Sequence, residues 1–344
     1  MRKQKETKDN RNYIYDYIRV FSCLLVIGIH CYSGNMTLTN DIEKYIYNFI
    51  HGIVRIGLPM FVLLSGVLLL NKEDDEKLSN YYYKRFIKII LPFILYSLFY
   101  MYVYNGAELS LKGLFNSLKA ISKNYVFFHL WYVYAISGIY LCAPFLKKMC
   151  KSLDDKECKN LFYLIIFISF IKYFLPDLNI HIGISEICFD GWLMYFLLGY
   201  LVNKDFIQNN YKKIYILGFI SLIFYIITCK YHPFSNINDL SPTMIFQTLS
   251  LYLLFYRNKD KITKNKYINK GITILSKYSY EMYLIHMFVL YQLISYINFN
   301  THIFINRLIL IPVVFFISFT ISVFFNTLII NPIQKLLFKL KKMN

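Results

Sequence analysis

Long apolar segments recur along nearly the whole chain, separated by short polar segments rich in lysine and arginine. About 20 consecutive apolar residues are what an α-helix needs to cross the ~30 Å hydrocarbon core of a bilayer. The spacing of the apolar segments predicts about ten spanning helices. They lie near 17–34, 48–70, 86–104, 126–146, 160–176, 189–203, 214–229, 241–256, 273–296 and 305–331. The pattern therefore predicts an all-α, polytopic membrane bundle.

The composition of the 344 residues agrees with this pattern, because 57% of them are hydrophobic and 19% are aromatic. No polar gap is long enough to fold as a domain of its own, so we expect one transmembrane domain over 13–335. A polar segment, 1–12, precedes it, and a basic tail, 336–344, follows it. The seven cysteines are odd in number and form no C-x-x-C pair, so neither a disulfide framework nor a metal site is expected.

The positive charge is distributed asymmetrically between the polar segments. The net charge is +18, and 27 of the 38 lysines and arginines fall in alternate segments, whereas the opposite segments hold five. Such a bias is the positive-inside pattern of membrane proteins. It predicts that both termini are cytoplasmic and that the number of spans is even. It also explains the charge without a nucleic-acid partner.

The first apolar segment carries Arg19 and His30, eleven residues apart. On an α-helix this is nearly three turns, so both side chains project from one face about 16 Å apart along the axis. An ionisable group inside the membrane costs about 3 kcal/mol, which implies a partner or a task. Arg19 can instead extend to the lipid headgroups, and His30 can be an interhelical hydrogen-bond partner. Asp16, one turn before Arg19, can orient it or simply favour the helix N-terminus.

A second basic cluster opens the third predicted span. Arg85 and Lys88 lie one turn apart on one helix face, and Lys88 continues into the apolar segment. Two cations at the mouth of a helix bundle are suited to binding phosphate. The alternative is ordinary flanking charge of the positive-inside kind.

Two further spans carry polar and aromatic residues. Trp131 and Tyr132 open the fourth span, where such residues commonly form an interfacial aromatic belt. The ninth span contains Glu281, Tyr283 and His286. Buried polar groups of this kind either join helices together or line a cavity, and their number favours a cavity.

The second span contains a small-residue patch, Ser65 and Gly66. Small residues permit close approach of two helices, which is the favoured interpretation here. The same patch can also line a narrow channel.

Five of these segments together resemble the membrane-bound acyltransferase family 3. The matching elements are Arg19 and His30 as an R-x10-H motif, Phe61-Val62-Leu63-Leu64-Ser65-Gly66, Arg85-Phe86-Ile87-Lys88 before Pro92, His129-Leu130-Trp131-Tyr132, and Tyr278-Ser279 through Tyr283-Leu284-Ile285-His286. Their order and spacing extend the resemblance along nearly the whole chain. Lys88 stands where the family more often has a second arginine, which keeps the charge but loses bidentate phosphate geometry.

The resemblance implies an enzyme of the bacterial plasma membrane that moves an acyl group, often acetyl, from cytoplasmic acyl-CoA to a hydroxyl. Arg19, Arg85 and Lys88 are then expected to hold the CoA head. His30 is expected to be the general base, with Arg19 and Asp16 beside it. Further residues are candidates for shaping the substrate pocket, namely Ser65, Trp131, Tyr132, Glu281, Tyr283 and His286. Acetyl-CoA is the expected acyl donor, with no metal.

Other partners and functions stay open at this point. The acceptor implied by the resemblance is a surface polysaccharide or a lipid-linked glycan, and membrane lipids surround the bundle. The main alternative is a transporter or exporter of small metabolites or glycan units, since intramembrane charges and short helices also mark substrate pathways. A membrane sensor is a third possibility, although it has no evident need for the polar residues. The sequence does not predict the oligomeric state.

Overall fold

The computed structural model describes residues 11–32, 40–73, 76–177, 179–180, 182–183, 189–231, 238–296 and 304–343, and these residues contain helices and no β-strand. The first helices are α1 (Ile14–Tyr32), α2 (Asp41–Val54), α3 (Gly57–Leu70), α4 (Leu78–Arg85), α5 (Leu91–Asn105), α6 (Leu111–Lys123), α7 (Trp131–Ser152) and α8 (Asp155–Ser169). The later helices are α9 (Leu175–Asp177), α10 (Trp192–Leu201), α11 (Asp205–Gln208), α12 (Tyr211–Tyr231), α13 (Pro242–Arg257), α14 (Lys259–Ile262), α15 (Lys266–Tyr296), α16 (Phe304–Phe325) and α17 (Asn331–Met343).

Each of the ten apolar segments coincides with a helix or a continuous pair of helices. Within the described residues, six helical segments are long and apolar enough to cross a membrane, namely Ile14–Tyr32, Asp41–Leu70, Leu78–Asn105, Phe128–Ser152, Tyr211–Thr228 and Asn306–Lys341. The helix at 192–201 has ten residues and is about 15 Å long, half of what a bilayer core requires. The protein is therefore a multi-pass helical membrane protein, and the count of about ten spans stays a prediction.

The structure describes the C-terminal segment of the chain but only the end of the N-terminal one. Residues 1–10 of the expected N-terminal segment lie outside the described residues. The expected basic tail is helical as far as Met343 and packs on α4. There Tyr83 donates a hydrogen bond to the carbonyl of Leu337 (2.6 Å), and Lys341 lies 4.0 Å from the centre of the Tyr83 ring. The tail thus continues the helix bundle.

The closest helix contact joins α3 and α10 through a glycine on each. A Cβ placed on Gly66 would lie 1.9 Å from the carbonyl oxygen of Phe196, and one on Gly199 would lie 2.3 Å from that of Leu63. Only glycine permits this approach, because any side chain at either position would enter the opposite backbone. The sequence prediction that Gly66 serves close packing agrees with this contact.

Three π-helical turns interrupt the long helices, at Phe86–Ile90, Phe170–Phe174 and Asn326–Ile330. Each ends two residues before a proline, and the prolines are Pro92, Pro176 and Pro332. A proline lacks the amide hydrogen that an α-helix needs, and its ring clashes with the carbonyl four residues earlier. Widening the preceding turn relieves that clash. The carbonyl of Ile87, which Pro92 leaves without a backbone donor in the π-turn, accepts a hydrogen bond from Gln334 (3.0 Å).

Helix α1 lies at the centre of the bundle, in contact with α3, α15 and α16. Most of its apolar side chains are buried, among them Ile14, Ile18 and Ile27. A helix surrounded on several sides has no lipid-facing stripe for a charged residue to escape along. The polar residues of α1 therefore face other helices.

Candidate functional site

Helices α1 and α15 pack side by side and run in the same direction, joined by contacts at successive levels. In order these are Tyr17 with Asn269 (2.9 Å), Arg19 with Ser276 (3.0 Å), Cys23 with the carbonyl of Ser279 (3.5 Å), and the rings of His30 and His286 (centroids 5.0 Å apart). The contacts follow the same order along both helices, which shows that the two helices run in the same direction. Arg19 and His30 therefore share a face, as their spacing predicts, and that face lies against α15.

The carboxylate of Asp16 binds several polar side chains at one end of the α1–α15 contact. Its carboxylate is buried and accepts hydrogen bonds from Arg11 (2.8 and 3.0 Å) and from Ser276 (2.7 Å). Arg19 lies 3.6 Å away from the same carboxylate and also donates to Ser276. The hydrogen bond to Asp16 raises the pKa of Arg11, which lies before the first span. Asp16 thus fixes two guanidinium groups at one end of α1.

Three histidines meet at the other end of the same contact. The ring of His286 lies 5.0 Å from that of His30 and 5.0 Å from that of His129, and the His30 and His129 rings are 6.4 Å apart. His129 lies in a 3-10 turn, Phe128–Leu130, that leads into α7. Phe128, its neighbour, packs 5.6 Å from the His30 ring. The cluster therefore joins residues from three separate segments of the chain.

In the rings of His286 and His129, a hydrogen bond to a backbone carbonyl identifies the nitrogen that carries the proton. Nδ1 of His286 is 2.6 Å from the carbonyl of Tyr283, and Nε2 of His129 is 3.2 Å from the carbonyl of Leu284. A carbonyl only accepts, so in each neutral ring that nitrogen is the donor and the other nitrogen is an acceptor. Within the described residues, neither Nε2 of His286 nor Nδ1 of His129 has a hydrogen-bond partner, although both rings are buried. The cluster thus contains two buried acceptor nitrogens beside His30.

Tyrosines surround the three histidines. Tyr283 donates a hydrogen bond to the carbonyl of His129, and its ring lies 5.6 Å from that of Tyr132. Tyr100 donates to the carbonyl of Leu284 (3.1 Å), and its ring lies 5.6 Å from that of His129. These contacts fix the segment that carries His129 against α15, so the three rings hold their relative positions.

Arg85 occupies a site of its own between two aromatic rings. Its guanidinium carbon lies 5.1 Å from the centre of the Tyr81 ring and 5.3 Å from that of Tyr140, and its buried Nε has no hydrogen-bond partner within the described part of the chain. Ser65 shares a hydrogen bond with the Tyr140 hydroxyl (3.0 Å). Lys88 is exposed, because the π-turn that begins at Phe86 changes the helical register. That Arg85 and Lys88 share one face stays a prediction, since the structure shows only that Arg85 is half-buried and Lys88 is exposed.

The Arg85 segment and Arg19 meet neighbouring turns of α15. Tyr280 donates to the carbonyl of Ile89 in the π-turn (2.9 Å), and Ser276, which binds Arg19, is one turn earlier on α15. Four residues of helix rise about 6 Å. Both arginines are thus associated with the same end of α15, about three turns before His286.

The remaining predicted pocket residues divide into two groups. Tyr132, Tyr283 and His286 lie at the histidine cluster. Glu281 lies on the opposite side of α15, where it accepts a hydrogen bond from Asn326 (2.9 Å), and Trp131 packs against Trp192 (5.6 Å). Glu281 and Trp131 thus have partners that do not belong to the histidine cluster. Ser65 lies beside Tyr140, away from the histidine cluster.

His129 is the site residue that sequence reasoning left out. It begins the His129-Leu130-Trp131-Tyr132 motif, but only the two aromatic residues after it were included among the candidates. The signal was available, since a histidine at the start of a membrane helix is as notable as one within it. Tyr100 gave no signal, because tyrosines are abundant throughout the chain.

Comparison with known proteins agrees with this arrangement. The sequence model of acyltransferase family 3, described as "Acyltransferase domain", matches residues 12–327. The chain belongs to this family. The acyltransferase family 3 match includes every helix that contributes to the α1–α15 contact and the histidine cluster. It supports acyl transfer as the chemistry of the protein.

Similar proteins of two Staphylococcus species are named as polysaccharide export proteins. A protein of Staphylococcus epidermidis, named "Probable poly-beta-1,6-N-acetyl-D-glucosamine export protein", is 26% identical over 312 residues, which cover 84% of this chain and 85% of the relative. A protein of Staphylococcus aureus with the same name is 25% identical and covers 84% and 86%. No solved structure matches the chain.

Proposed function

We propose that this protein is an integral membrane O-acyltransferase that moves an acyl group, most simply acetyl, from cytoplasmic acyl-CoA to a hydroxyl of a surface glycan or its lipid-linked precursor. The observation that carries the proposal is the α1–α15 contact, which has a buried carboxylate beside the Arg19 guanidinium at one end and three histidines at the other. His30 is the general base in this proposal. Both termini are cytoplasmic, as the distribution of lysine and arginine predicts.

The acyl donor is proposed to bind along the Arg19-to-His30 direction. Arg19 and Arg85 hold the phosphates of CoA at the cytoplasmic end, and Lys88, exposed near that end, adds positive charge. The pantetheine arm has a length comparable with the rise of about 16 Å between Arg19 and His30. The thioester can therefore reach the histidine cluster while the nucleotide stays at the cytoplasmic surface.

The proposed chemistry needs one proton acceptor and two bond changes. The acceptor hydroxyl gives its proton to an unprotonated nitrogen of His30 while its oxygen bonds to the thioester carbonyl carbon. The carbon–sulfur bond then breaks, and the CoA thiolate takes the proton from the His30 imidazolium. We assign His129 and His286 a positioning role, because their rings lie 6.4 and 5.0 Å from the ring of His30 and confine it.

The relatives suggest the class of acceptor. Their name links them to poly-β-1,6-N-acetyl-D-glucosamine, a polymer whose sugars carry free hydroxyls. We propose an N-acetylglucosamine polymer, or a similar surface glycan, as the acceptor for this chain. The apolar walls around the histidine cluster exclude bulk water, which protects the thioester from hydrolysis.

Export of a glycan is the second candidate function, and the name of the relatives favours it. A buried polar contact between two membrane helices can also line a substrate path. An exporter needs a continuous path across the bilayer and no acyl-CoA. The two functions therefore differ in whether a covalent product forms.

The test uses the full chain in membrane vesicles, with radiolabelled acetyl-CoA and an N-acetylglucosamine oligomer. The expected result is label on the oligomer in an alkali-labile ester. The His30→Ala variant is expected to lose at least about 100-fold in turnover, since general-base catalysis contributes about 10²–10⁴-fold. His286→Phe keeps an aromatic ring but loses both ring nitrogens, including the Nδ1–H group that donates to the carbonyl of Tyr283, and it is expected to lower kcat about tenfold.

A matched control is His51→Gln, because His51 contacts Tyr225 and Tyr47 and not the histidine cluster. It is expected to retain turnover near that of the unmodified protein. Full activity of His30→Ala would end its assignment as the base. Movement of the oligomer across the vesicle membrane without ester formation would favour the exporter.

A further inference from the structure

Helix α6 (Leu111–Lys123) has three distinct faces. The face toward the protein has four-residue spacing and consists of Gly113, Ser117 and Ile121, all buried. A second face is apolar and exposed, and it consists of Leu111, Leu114, Phe115 and Leu118. The third carries a row of exposed lysines, Lys112, Lys119 and Lys123. A helical wheel separates these faces into three stripes, with the lysines beside the exposed apolar face and away from the protein.

Helix α6 is capped at its N-terminus and attached to α7 at its C-terminus. Ser110 caps its N-terminus by accepting a hydrogen bond from the amide of Gly113 (3.0 Å). The hydroxyl of Tyr134 in α7 donates to the carbonyls of Ile121 (2.6 Å) and Asn124 (3.1 Å) at its C-terminus. Its 13 residues are about 20 Å long, too short to cross a bilayer.

The exposed apolar face is too extensive for a helix in water. Leu111 is 88% exposed and Phe115 is 68% exposed. An amphipathic helix with this pattern lies in the membrane interface, with its apolar face among the acyl chains and its lysines at the headgroups. Helix α6 connects the end of α5 to the start of α7, which is where a spanning helix leaves the bilayer.

A groove accompanies the exposed face. It has a volume of about 500 Å³ and lies between α5 and α6. Its lining is mainly apolar and includes Leu98, Tyr102, Leu109 and Leu114, with one acidic residue, Glu108. A groove of this size and polarity accommodates part of an acyl chain. It adjoins the N-terminal half of α6, where Lys112 lies beside the exposed leucines.

We propose that α6 is an interfacial helix that binds an anionic phospholipid. One acyl chain occupies the groove between α5 and α6, and the lysine row binds the headgroup phosphates. The three lysines outnumber the one acidic residue that lines the groove, Glu108, and this excess of positive charge favours an anionic lipid over a zwitterionic one. Under the proposed orientation this is the outer leaflet. The binding itself does not depend on the proposed acyl transfer.

The position of α6 also relates it to the histidine cluster. Four residues after Asn124 the chain reaches Phe128, which packs against His30 and precedes His129. A lipid that anchors α6 in the interface therefore stabilises the segment that carries His129.

The experiment uses the full chain in vesicles of phosphatidylcholine with a photoactivatable phosphatidylglycerol, followed by peptide mapping. The expected result is labelling within residues 98–118. Each lysine near an anionic lipid contributes roughly fivefold to binding. The variant with Lys112→Gln, Lys119→Gln and Lys123→Gln is therefore expected to need more than tenfold more probe for half-maximal labelling.

Two control variants separate charge from folding. Replacing the same three lysines by arginine keeps the charge and is expected to keep the labelling. Replacing Lys156, Lys159 and Lys212, exposed elsewhere, by glutamine is expected to leave labelling of 98–118 unchanged. Equal labelling by a matched phosphatidylcholine probe, or by the glutamine variant of α6, would refute the proposal. Displacement of the probe by a polyprenyl diphosphate and not by unlabelled phosphatidylglycerol would assign the surface to a lipid-linked glycan instead.

Discussion

The planar guanidinium group of Arg85 lies near two tyrosine rings, 5.1 Å from the centre of the Tyr81 ring and 5.3 Å from that of Tyr140. The Tyr81 hydroxyl donates a hydrogen bond to the carbonyl of Tyr140 (3.1 Å), which fixes the two tyrosines relative to each other. A planar guanidinium stacks on rings and still presents its donors at its edge, which an ammonium group cannot do. At the scale of single residues, this geometry distinguishes Arg85 from the neighbouring lysines.

Arg85→Lys is therefore expected to raise the KM for acyl-CoA about tenfold, since loss of the stacked geometry costs about 1.4 kcal/mol. The kcat is expected to change little, because His30 is not affected. The measurement is the dependence of initial rate on acyl-CoA concentration. Lys84→Gln, which removes an exposed cation paired with Glu76, is the control and should keep the KM. An unchanged KM for Arg85→Lys would show that Arg85 does not bind the donor.

Within the helix α4–α5, the π-turn before Pro92 affects which residues face the protein interior. The π-turn at Phe86–Ile90 separates Arg85, which is half-buried, from Lys88, which is exposed. A π-turn contains about one more residue than an α-turn, so the helix before it is rotated relative to the helix after it. Pro92 thus affects the direction of Arg85 without touching it.

Pro92→Ala restores an amide hydrogen that can close a regular α-turn on the carbonyl of Lys88. We expect the segment before it to rotate by roughly 100°, which moves Arg85 away from Tyr140. The KM for acyl-CoA is then expected to rise at least about tenfold while the protein stays folded. Pro312→Ala is the control, because Pro312 lies inside α16 in a regular helical segment. A Pro92→Ala protein with the original KM would contradict this account.

At the scale of the whole molecule, the contact between α3 and α10 determines how closely the bundle can pack. Helix α10 is buried over most of its length, and it contacts α3, α7 and α8. Gly66 and Gly199 permit its approach to α3 at backbone distance. A short helix of about 15 Å depends on such contacts, because it does not reach both membrane surfaces.

Gly66→Ala is expected to destabilise the folded protein by at least about 3 kcal/mol, because the added methyl group overlaps the Phe196 carbonyl. The measurement is thermal unfolding of the purified protein in detergent. Gly138→Ala is the matched control, since a Cβ on this glycine of α7 meets nothing within 4 Å. That variant is expected to gain up to about 1 kcal/mol from helix propensity. Equal unfolding temperatures for the two variants would refute the close-contact explanation.

Several features of the candidate site were predictable because they depend on one helix. The common face of Arg19 and His30 follows from helical spacing alone, and so does the association of Tyr283 with His286. Helical spacing also places Glu281 on the opposite side of α15 from Tyr283, because two residues of an α-helix turn through about 200°. The prediction that Glu281 shapes the same pocket as Tyr283 and His286 does not take this into account. The exposure of Lys88 does not follow from the spacing of a regular α-helix, because the turn at Phe86–Ile90 before Pro92 is π-helical.

Hydrophobic length and helical periodicity are local properties, so the amino-acid sequence is enough to locate the apolar helices, the family resemblance and the residues of α1 that share a face. The meeting of His129 with His30 and His286, and that of Asp16 and Arg19 with Ser276, are visible only in the folded chain. These residues are far apart in the chain, and the packing of separate helices brings them together. No local pattern specifies which neighbour a buried face will contact.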